Sequence, residues 1–247
     1  MILRQFLHSD PVAISYLFGC GGKATCAVVD PVGDIAPYLR VADNTGMRIN
    51  FVIDTHIHAD HRSAGRELAR EAGAHYVLHS SAEVGFPTEA VKDGDRLSLG
   101  NVHVDVMHMP GHTPEHICLL VTDRTRADCP WFVLTGHTLM VGDVGRTELV
   151  SDPASAALTL FTSLERLRAL PDYIELMPGA YAGSVCGRRL SGKPSSTIGF
   201  ERRHNAAFKI ETAEAFVGFM LEEMPPPPEG AAELRAWNAG RGAPAGK

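Results

Sequence analysis

The residues with the clearest chemical potential lie in one short run. His56-Ile57-His58-Ala59-Asp60-His61 places three histidines and one aspartate within six positions. Neutral imidazole and carboxylate groups are ligands for zinc and for non-haem iron. The apolar segment 51–54 before the run predicts a buried strand, and the pattern of 63–72 after it predicts a helix. The run is therefore expected at the carboxyl end of a strand, where open α/β sheets usually place their chemistry.

Two further histidines are candidate ligands because each follows a predicted strand. His112 lies in the turn Pro110-Gly111-His112-Thr113-Pro114, after an alternating apolar segment. His137 follows an apolar segment that ends in Gly136. A metal site that is assembled from separate loops needs such additional ligands.

Composition indicates a soluble globular protein and excludes several functions. The chain has 247 residues, of which 45% are hydrophobic and 21% charged, and this fits one large domain or two small ones. A net charge of −6 without a basic stripe argues against nucleic-acid binding. We expect no transmembrane helix and no secretory signal. Five cysteines without short paired spacing favour free thiols in a reducing cytoplasm.

Strands alternate with helices along the chain, which predicts two sheets with helices outside. A hairpin is predicted at 13–18 and 24–29, around a Gly-rich turn. The leucine spacing of 152–170 predicts a helix that packs on the core. Further helices are predicted at 35–44 and 211–224.

The last quarter of the chain is predicted to be less regular. A long loop rich in Gly, Ser and Arg is expected at 178–205. Residues 1–228 are interpreted as one domain. Residues 229–247 are interpreted as a tail with a short Ala-rich helix that frays toward its end.

Longer segments resemble a known family. The run 56–61 matches the H-x-H-x-D-H signature of the metallo-β-lactamase superfamily, and 110–114 matches the segment that carries its next histidine. The segments 141–146 (VGDVGR) and 191–203 (SGKPSSTIGFERR) resemble the persulfide dioxygenases. Those are glutathione-persulfide-oxidising, mononuclear iron relatives of glyoxalase II. The likeness runs from the first hairpin to Phe208.

The resemblance implies an α/β fold of the αββα sandwich type, with two mixed β-sheets and outer helices. It implies that the catalytic metal is held by His56, His112 and the position of His137. In the zinc hydrolases of the superfamily the other motif residues also bind metal, and here they are His58, Asp60 and His61. Ferrous iron, Fe(II), is the expected cofactor, and Zn2+ is the alternative.

Two positions depart from the family pattern. His137 stands where the family has a metal-binding aspartate, and Ala180 stands where the hydrolases have their final histidine. Losing both groups disfavours a dinuclear zinc hydrolase. Three histidines still suffice for one iron, or for zinc with a water molecule. A neutral ligand in place of a carboxylate raises the charge at the metal by one unit, so ferrous iron becomes harder to oxidise.

The resemblance also implies a reaction and its partners. A low-molecular-weight thiol persulfide would be oxidised by O2 to sulfite and the free thiol, and family analogy suggests a homodimer. Arg202 and Arg203 are candidates for clamping a glutathione carboxylate. Further candidates for substrate binding are Arg146, Tyr181, Ser195, Ser196 and Thr197.

Two other functions stay open at this point. One is a zinc hydrolase of a thioester or ester, as in glyoxalase II, which the shared signature favours and the two altered ligands disfavour. The other is a protein that binds a metal or a persulfide without catalysis. The altered ligands favour this second alternative, because a fold does not guarantee its family's activity.

Overall fold

Two mixed β-sheets organise the computed structural model, which describes residues 1–149, 152–222, 224 and 226–241. In the first sheet the strands follow one another in chain order, the first two pairs antiparallel and the next three parallel. Its strands are β1 (Ile2–Ser9), β2 (Val12–Cys20), β3 (Thr25–Val29), β4 (Arg48–Ile53), β5 (His75–His79) and β6 (Glu89–Val91).

The second sheet has the strand order β14-β13-β10-β9-β8-β7, and only its β10–β13 pair is parallel among the described residues. A small antiparallel hairpin stands apart from both sheets. The strands of the second sheet are β7 (Arg96–Leu99), β8 (Val102–His108), β9 (Ile117–Asp123), β10 (Phe132–Gly136), β13 (Glu175–Pro178) and β14 (Ser196–Thr197). The hairpin consists of β11 (Leu139–Met140) and β12 (Asp143–Val144).

Helices cover the outer face of each sheet. The helices are α1 (Ala36–Asn44), α2 (Gly65–Ala72), α3 (Pro153–Arg168), α4 (Ile198–His204), α5 (Ala213–Leu221) and α6 (Ala231–Asn238). α1 and α2 pack on the first sheet through a cluster that includes Val28 and Leu68. α3 and α5 pack on the second sheet around Val133, Leu160 and Phe216. Within the described residues, no helix is long and apolar enough to cross a membrane.

The central core lies between the two sheets. Phe18 of β2 and Phe132 of β10 meet edge to face, with ring centroids 5.8 Å apart. Val104 and Leu119 are fully buried in the same cluster. Because helices cover both outer faces and apolar side chains fill the space between the sheets, the predicted αββα sandwich is confirmed.

Five strand ends meet at one edge of the sandwich. β3 and β4 are parallel. β8, β10 and β13 run in one direction, because β9 is antiparallel to both β8 and β10 while β13 is parallel to β10. Backbone hydrogen bonds join the two sheets at this edge: Ile117 N donates to Thr55 O at 2.8 Å, and Ile14 N donates to Gly179 O at 2.7 Å. The loops that follow these strands are therefore held against one another.

Most of the predicted elements are present. The hairpin appears as β2 and β3, and the predicted helices appear as α1, α2, α3 and α5. α3 begins where its sequence signal lies, because the Asp152 carboxylate accepts hydrogen bonds from Ala154 N and Ser155 N, and Pro153 occupies the first turn.

Other parts of the fold differ from the predictions, and the short strands β6, β7, β11 and β12 were not predicted. The predicted loop 178–205 is wrong at its end, where β14 and α4 form and Thr197 caps the helix by accepting from Phe200 N at 3.2 Å. β1 lies outside the predictions. Its apolar residues recur in pairs four positions apart, which is a helical rather than an alternating spacing. Those residues are Ile2, Leu3, Phe6 and Leu7.

We expect Leu164→Ala to lower the free energy of unfolding by about 2–5 kcal/mol, because Leu164 is fully buried between α3 and the second sheet. Leu158→Ala is the matched control on the same helix, since half of Leu158 is exposed. It should change stability by less than about 0.5 kcal/mol. Urea denaturation followed by circular dichroism measures both. Equal losses in the two variants would contradict this description of the α3 face.

Candidate metal centre

Three histidines from three different loops converge at the shared edge of the sheets. His56 follows β4, His112 lies between β8 and β9, and His137 directly follows β10. One ring nitrogen of each lies within 4.8 Å of the other two. None of these residues is more than 1% exposed. The structure therefore brings the three predicted catalytic ligands together; we call them the three-histidine centre.

Hydrogen bonds fix which ring nitrogen carries the proton in His56 and in His112. The Thr55 hydroxyl donates to Asp30 Oδ2 at 2.9 Å, so it accepts from Nδ1 of His56 at 3.0 Å. Nδ1 of His112 donates to the carbonyl oxygen of Arg146 at 2.8 Å. In both rings the lone pair is therefore on Nε2, the atom left to bind a cation.

Burial keeps the three rings neutral. Desolvation, and then the charge of neighbouring histidines, lowers the pKa of His56 well below its usual value. The same causes lower the pKa of His112 to about 3. Burial lowers the pKa of His137 to about 4. Neutral imidazoles offer lone pairs to a cation near neutral pH without first losing protons.

The distances within the three-histidine centre fit a first-row transition metal. His112 Nε2 and His137 Nδ1 are 3.4 Å apart. Two nitrogens bound tetrahedrally at about 2.1 Å would have a separation of about 3.4 Å. His56 Nε2 is buried and has no hydrogen-bond partner among the described residues. Because a buried polar atom without a partner is costly, a cation at this point would stabilise the site.

His58, Asp60 and His61 form a neighbouring group. Their candidate ligand atoms also lie within 4.8 Å of one another. Asp60 Oδ1 lies 3.0 Å from His61 Nδ1 and 3.7 Å from His58 Nδ1. In the portion of the chain that the structure describes, three buried atoms of this group lack hydrogen-bond partners: His58 Nδ1, Asp60 Oδ2 and His61 Nε2. All six predicted metal ligands are thus gathered in one buried region.

Asp30, which sequence reasoning missed, anchors the histidine loop, the segment 54–64 between β4 and α2. Its carboxylate accepts from the backbone N and the hydroxyl of Thr55 at 2.7 and 2.9 Å, and it lies 3.1 Å from Nε2 of His58. Burial opposes a charge on His58, but the Asp30 carboxylate raises the pKa of His58 well above its usual value. The sequence feature that could have indicated Asp30 is its position directly after β3, the buried strand that pairs with β4.

His116 packs behind the three-histidine centre. Its ring stacks on His56 with centroids 4.8 Å apart. Nε2 of His116 accepts from the backbone N of His137 at 3.1 Å, and Nδ1 donates to the hydroxyl of Thr138 at 3.0 Å. Both of its nitrogens are engaged, so His116 orients the other histidines and offers no lone pair to a cation.

Gly136 allows His137 to approach the other ligands. Its φ is +49°, a conformation that favours glycine. A Cβ atom at this position would lie 2.6 Å from Thr55 Oγ1 and 2.7 Å from His116 Nε2. A larger residue would therefore displace the groups that orient two of the ligands.

The C-terminal helix α6 contacts the histidine loop directly. Nδ2 of Asn238 donates to the carbonyl oxygens of His58 and His61, both at 2.8 Å, and its Oδ1 accepts from Ser63 N at 2.9 Å. Arg235 donates to the carbonyl oxygen of Ile57 at 3.0 Å. The predicted tail helix is present, and it is part of the support of the site. The domain boundary at residue 228 stays a prediction.

The side chains of Arg146 and Tyr181 make contacts within the protein. The Arg146 guanidinium pairs with the buried carboxylate of Glu148 and donates to the carbonyl oxygens of Val185 and Pro226. The Tyr181 hydroxyl donates to the carbonyl oxygen of His8 at 2.8 Å. Arg146 thus forms an internal ion pair, and a role for Arg146 or Tyr181 in substrate binding stays a prediction.

The other predicted substrate residues lie on the α4 side of the molecule. Arg202 and Arg203 both pair with Asp172, and Arg202 also donates to the carbonyl oxygens of Arg168 and Leu170. Ser195, Ser196 and Thr197 line a cleft of about 610 Å³. None of the candidate metal ligands is among the described residues that line this cleft. A role for these five residues in substrate binding stays a prediction.

The segment after β13 shows where a ligand is missing. Gly179 N donates to the carbonyl oxygen of Gly136 at 2.7 Å. A Cβ on Gly179 would lie 3.2 Å from Cδ2 of His137. Ala180 therefore follows a residue that touches the three-histidine centre, and its methyl group offers no donor atom to a cation.

Comparison with known proteins identifies the family. The metallo-beta-lactamase superfamily profile matches residues 12–176, and the chain belongs to this superfamily. A probable metallo-hydrolase of Burkholderia pseudomallei is 30% identical, and the match covers 69% of each chain. Hydroxyacylglutathione hydrolase of Rhodospirillum rubrum is also 30% identical, but the match covers 63% of this chain and 57% of that relative's length.

Within the superfamily, the chain is similar along most of its length to persulfide dioxygenases. Persulfide dioxygenase ETHE1 of Homo sapiens is 26% identical over 89% of this chain and 80% of the relative. The crystal structure of ETHE1 from Myxococcus xanthus has a TM-score of 0.82 and 28% identity, over 98% of this chain and 100% of that one. A metallo-beta-lactamase from Staphylococcus aureus has a TM-score of 0.92 and 33% identity, over 97% of this chain and 72% of that one.

We expect Asn238→Ala to weaken zinc binding about 10- to 100-fold, because the amide fixes the carbonyl groups of two candidate ligands. Transfer of Zn2+ from the protein to a coloured chelator measures the affinity. Asn44→Ala, at the exposed end of α1, is the matched control and should leave it unchanged. An Asn238→Ala variant that folds and keeps the original affinity would show that α6 does not position the loop.

Proposed function

We propose that this protein oxidises a low-molecular-weight thiol persulfide with O2, at ferrous iron held by His56, His112 and His137. The overall reaction converts RSSH, O2 and H2O into RSH and sulfurous acid, which ionises to sulfite. Glutathione is the proposed carrier thiol.

The observation that carries the proposal is the convergence of three neutral imidazoles beside a position that has lost its ligand. The three-histidine centre can bind one cation without the residue at 180. Similarity to persulfide dioxygenases over nearly the whole chain supports the same assignment, whereas the hydroxyacylglutathione hydrolase match is shorter.

The chain itself orients the ligands and excludes water. When bound, ferrous iron supplies the one-electron chemistry that O2 requires and an affinity for sulfur. The Thr55 hydroxyl and the Arg146 carbonyl hold the protons of His56 and His112 on Nδ1, away from the centre. Burial of the rings keeps bulk water away from the three-histidine centre, which strengthens the electrostatic effect of every nearby group.

A thioester hydrolase is the second candidate function. The group formed by His58, Asp60 and His61 favours it, because two neighbouring ligand groups are the arrangement that a two-metal hydrolase needs. The replacement of a carboxylate by His137 counts against it, since the carboxylate that joins the two cations in such hydrolases is absent.

Oxygen uptake by anaerobically Fe(II)-loaded protein tests the proposal. With glutathione persulfide we expect one O2 consumed for each sulfite formed. His112→Ala should abolish both uptake and iron binding, because it removes one of three ligands. His103→Ala, a histidine of β8 outside the ligand groups, should change neither. Turnover of a glutathione thioester without oxygen uptake would instead establish the hydrolase. Iron that binds without turnover of either compound would indicate a protein that does not catalyse.

His137→Asp tests the effect of ligand charge. A carboxylate would lower the charge at iron by one unit, so the ferric state should be stabilised and oxygen uptake per iron should rise. Redox titration and oxygen uptake measure the two effects. His137→Asn, which is similar in size but neutral, is the control and should give neither. If His137→Asp binds a full complement of iron but consumes oxygen more slowly, the oxidation reaction of this chain requires the histidine.

A further inference from the structure

One cation at the three-histidine centre leaves buried polar atoms unsatisfied. It would bind His56 Nε2, but Asp60 Oδ2 and His61 Nε2 would still lack partners within the described part of the chain. The Asp60 side chain is only 4% exposed and that of His61 only 2%. Buried polar atoms without hydrogen bonds are costly, so their clustering points to a second bound group.

Cys186 lies within reach of these atoms. Candidate ligand atoms of Asp60, His137 and Cys186 lie within 4.8 Å of one another. Cys186 is 1% exposed. Cys186 stands six positions after Ala180 in the same loop. Its thiol therefore supplies a donor atom in the loop where the side chain of residue 180 has none. Thiolate, carboxylate and imidazole together form a ligand set typical of zinc.

His137 can serve both positions because its two nitrogens face different groups. Nδ1 lies 3.4 Å from His112 Nε2, inside the three-histidine centre. Nε2 lies 4.0 Å from Asp60 Oδ2, on the other side of the ring. One imidazole ring thus stands between the two ligand groups.

The loop that carries Cys186 is fixed by residues of the site. Arg146, whose carbonyl orients His112, donates through its guanidinium to the carbonyl oxygen of Val185 at 2.7 Å. Asp143 accepts from the backbone N of Arg188 at 2.6 Å. Anchors on both sides of Cys186 hold its thiol in place, as a ligand position requires.

We propose that Asp60, Cys186 and Nε2 of His137 bind a second divalent cation of the zinc type, beside the three-histidine centre. On binding, the thiol releases one proton to solvent and the sulfur coordinates as thiolate. When Nδ1 of His137 also binds a cation, the ring releases its own proton to solvent and joins the two positions as imidazolate. The second site does not depend on the proposed oxidation, since it concerns binding alone. Its ligand set is unlike that of the first site, so the two positions differ in their preference for metals.

Titration of metal-free protein with Co2+ alone tests the proposal. We expect about two equivalents to bind, and a near-ultraviolet sulfur-to-cobalt charge-transfer band to grow with one of them. Cys186→Ser should remove the band and one equivalent while the other equivalent remains. Cys26→Ser, a buried thiol of β3 outside the ligand groups, is the matched control and should keep both.

The wild-type titration alone can overturn the proposal, so it does not rely on the folding of any variant. The absence of the charge-transfer band, whether one or two equivalents bind, would show that Cys186 binds no cation. A band that persists in Cys186→Ser would assign the sulfur ligand to another cysteine, with the same consequence. Because no persulfide or oxygen is present, these results are separate from the outcome of the oxygen-uptake experiment.

Discussion

The structure depends on burying polar atoms that the protein does not satisfy by itself. Nitrogens of His56 and His61 and an oxygen of Asp60 lie at the junction of two sheets without partners in the described chain. Hydrophobic burial elsewhere must offset this cost in the metal-free protein, and a bound cation removes it. Binding of a cation at this junction would therefore also stabilise the fold.

The residues that hold the ligands come from distant parts of the chain. Asp30 supports the histidine loop from the end of β3, Glu115 accepts from Ile57 N at 2.9 Å, and Asn238 binds the same loop from α6. Each of them acts on backbone groups or on the far nitrogen of a ring. The site is thus built on hydrogen bonds that set ligand direction, and these have no signature in the spacing of the ligands themselves.

Six candidate ligands could be named from the sequence, because they follow buried strands and match a spaced motif. The structure gathers their side chains, and their binding of a metal stays a prediction. The alternation of strands and helices predicted two sheets with outer helices, and the family resemblance implied the αββα sandwich. Asp152 and the leucine spacing predicted α3. Asp30 was missed although it directly follows a buried strand, and Asn238 could not be predicted, since α6 meets the histidine loop only in the folded chain. Sequence reasoning misread 196–204, where a single Thr197 cap begins a seven-residue helix too short for a periodic signal.

His137 shows how one substitution changes both the charge and the reach of a ligand. An aspartate at this position would bring a negative charge, whereas the buried imidazole is neutral. The nearest compensation is the Asp60 carboxylate, 4.0 Å from Nε2. A proton on Nε2 would face that carboxylate, so the ring would become a more basic ligand through Nδ1 and recover part of the lost charge. A cation on Nε2 would take the place of that proton. The protonation state of the His137 ring would therefore couple a cation at the three-histidine centre to whatever group binds Nε2.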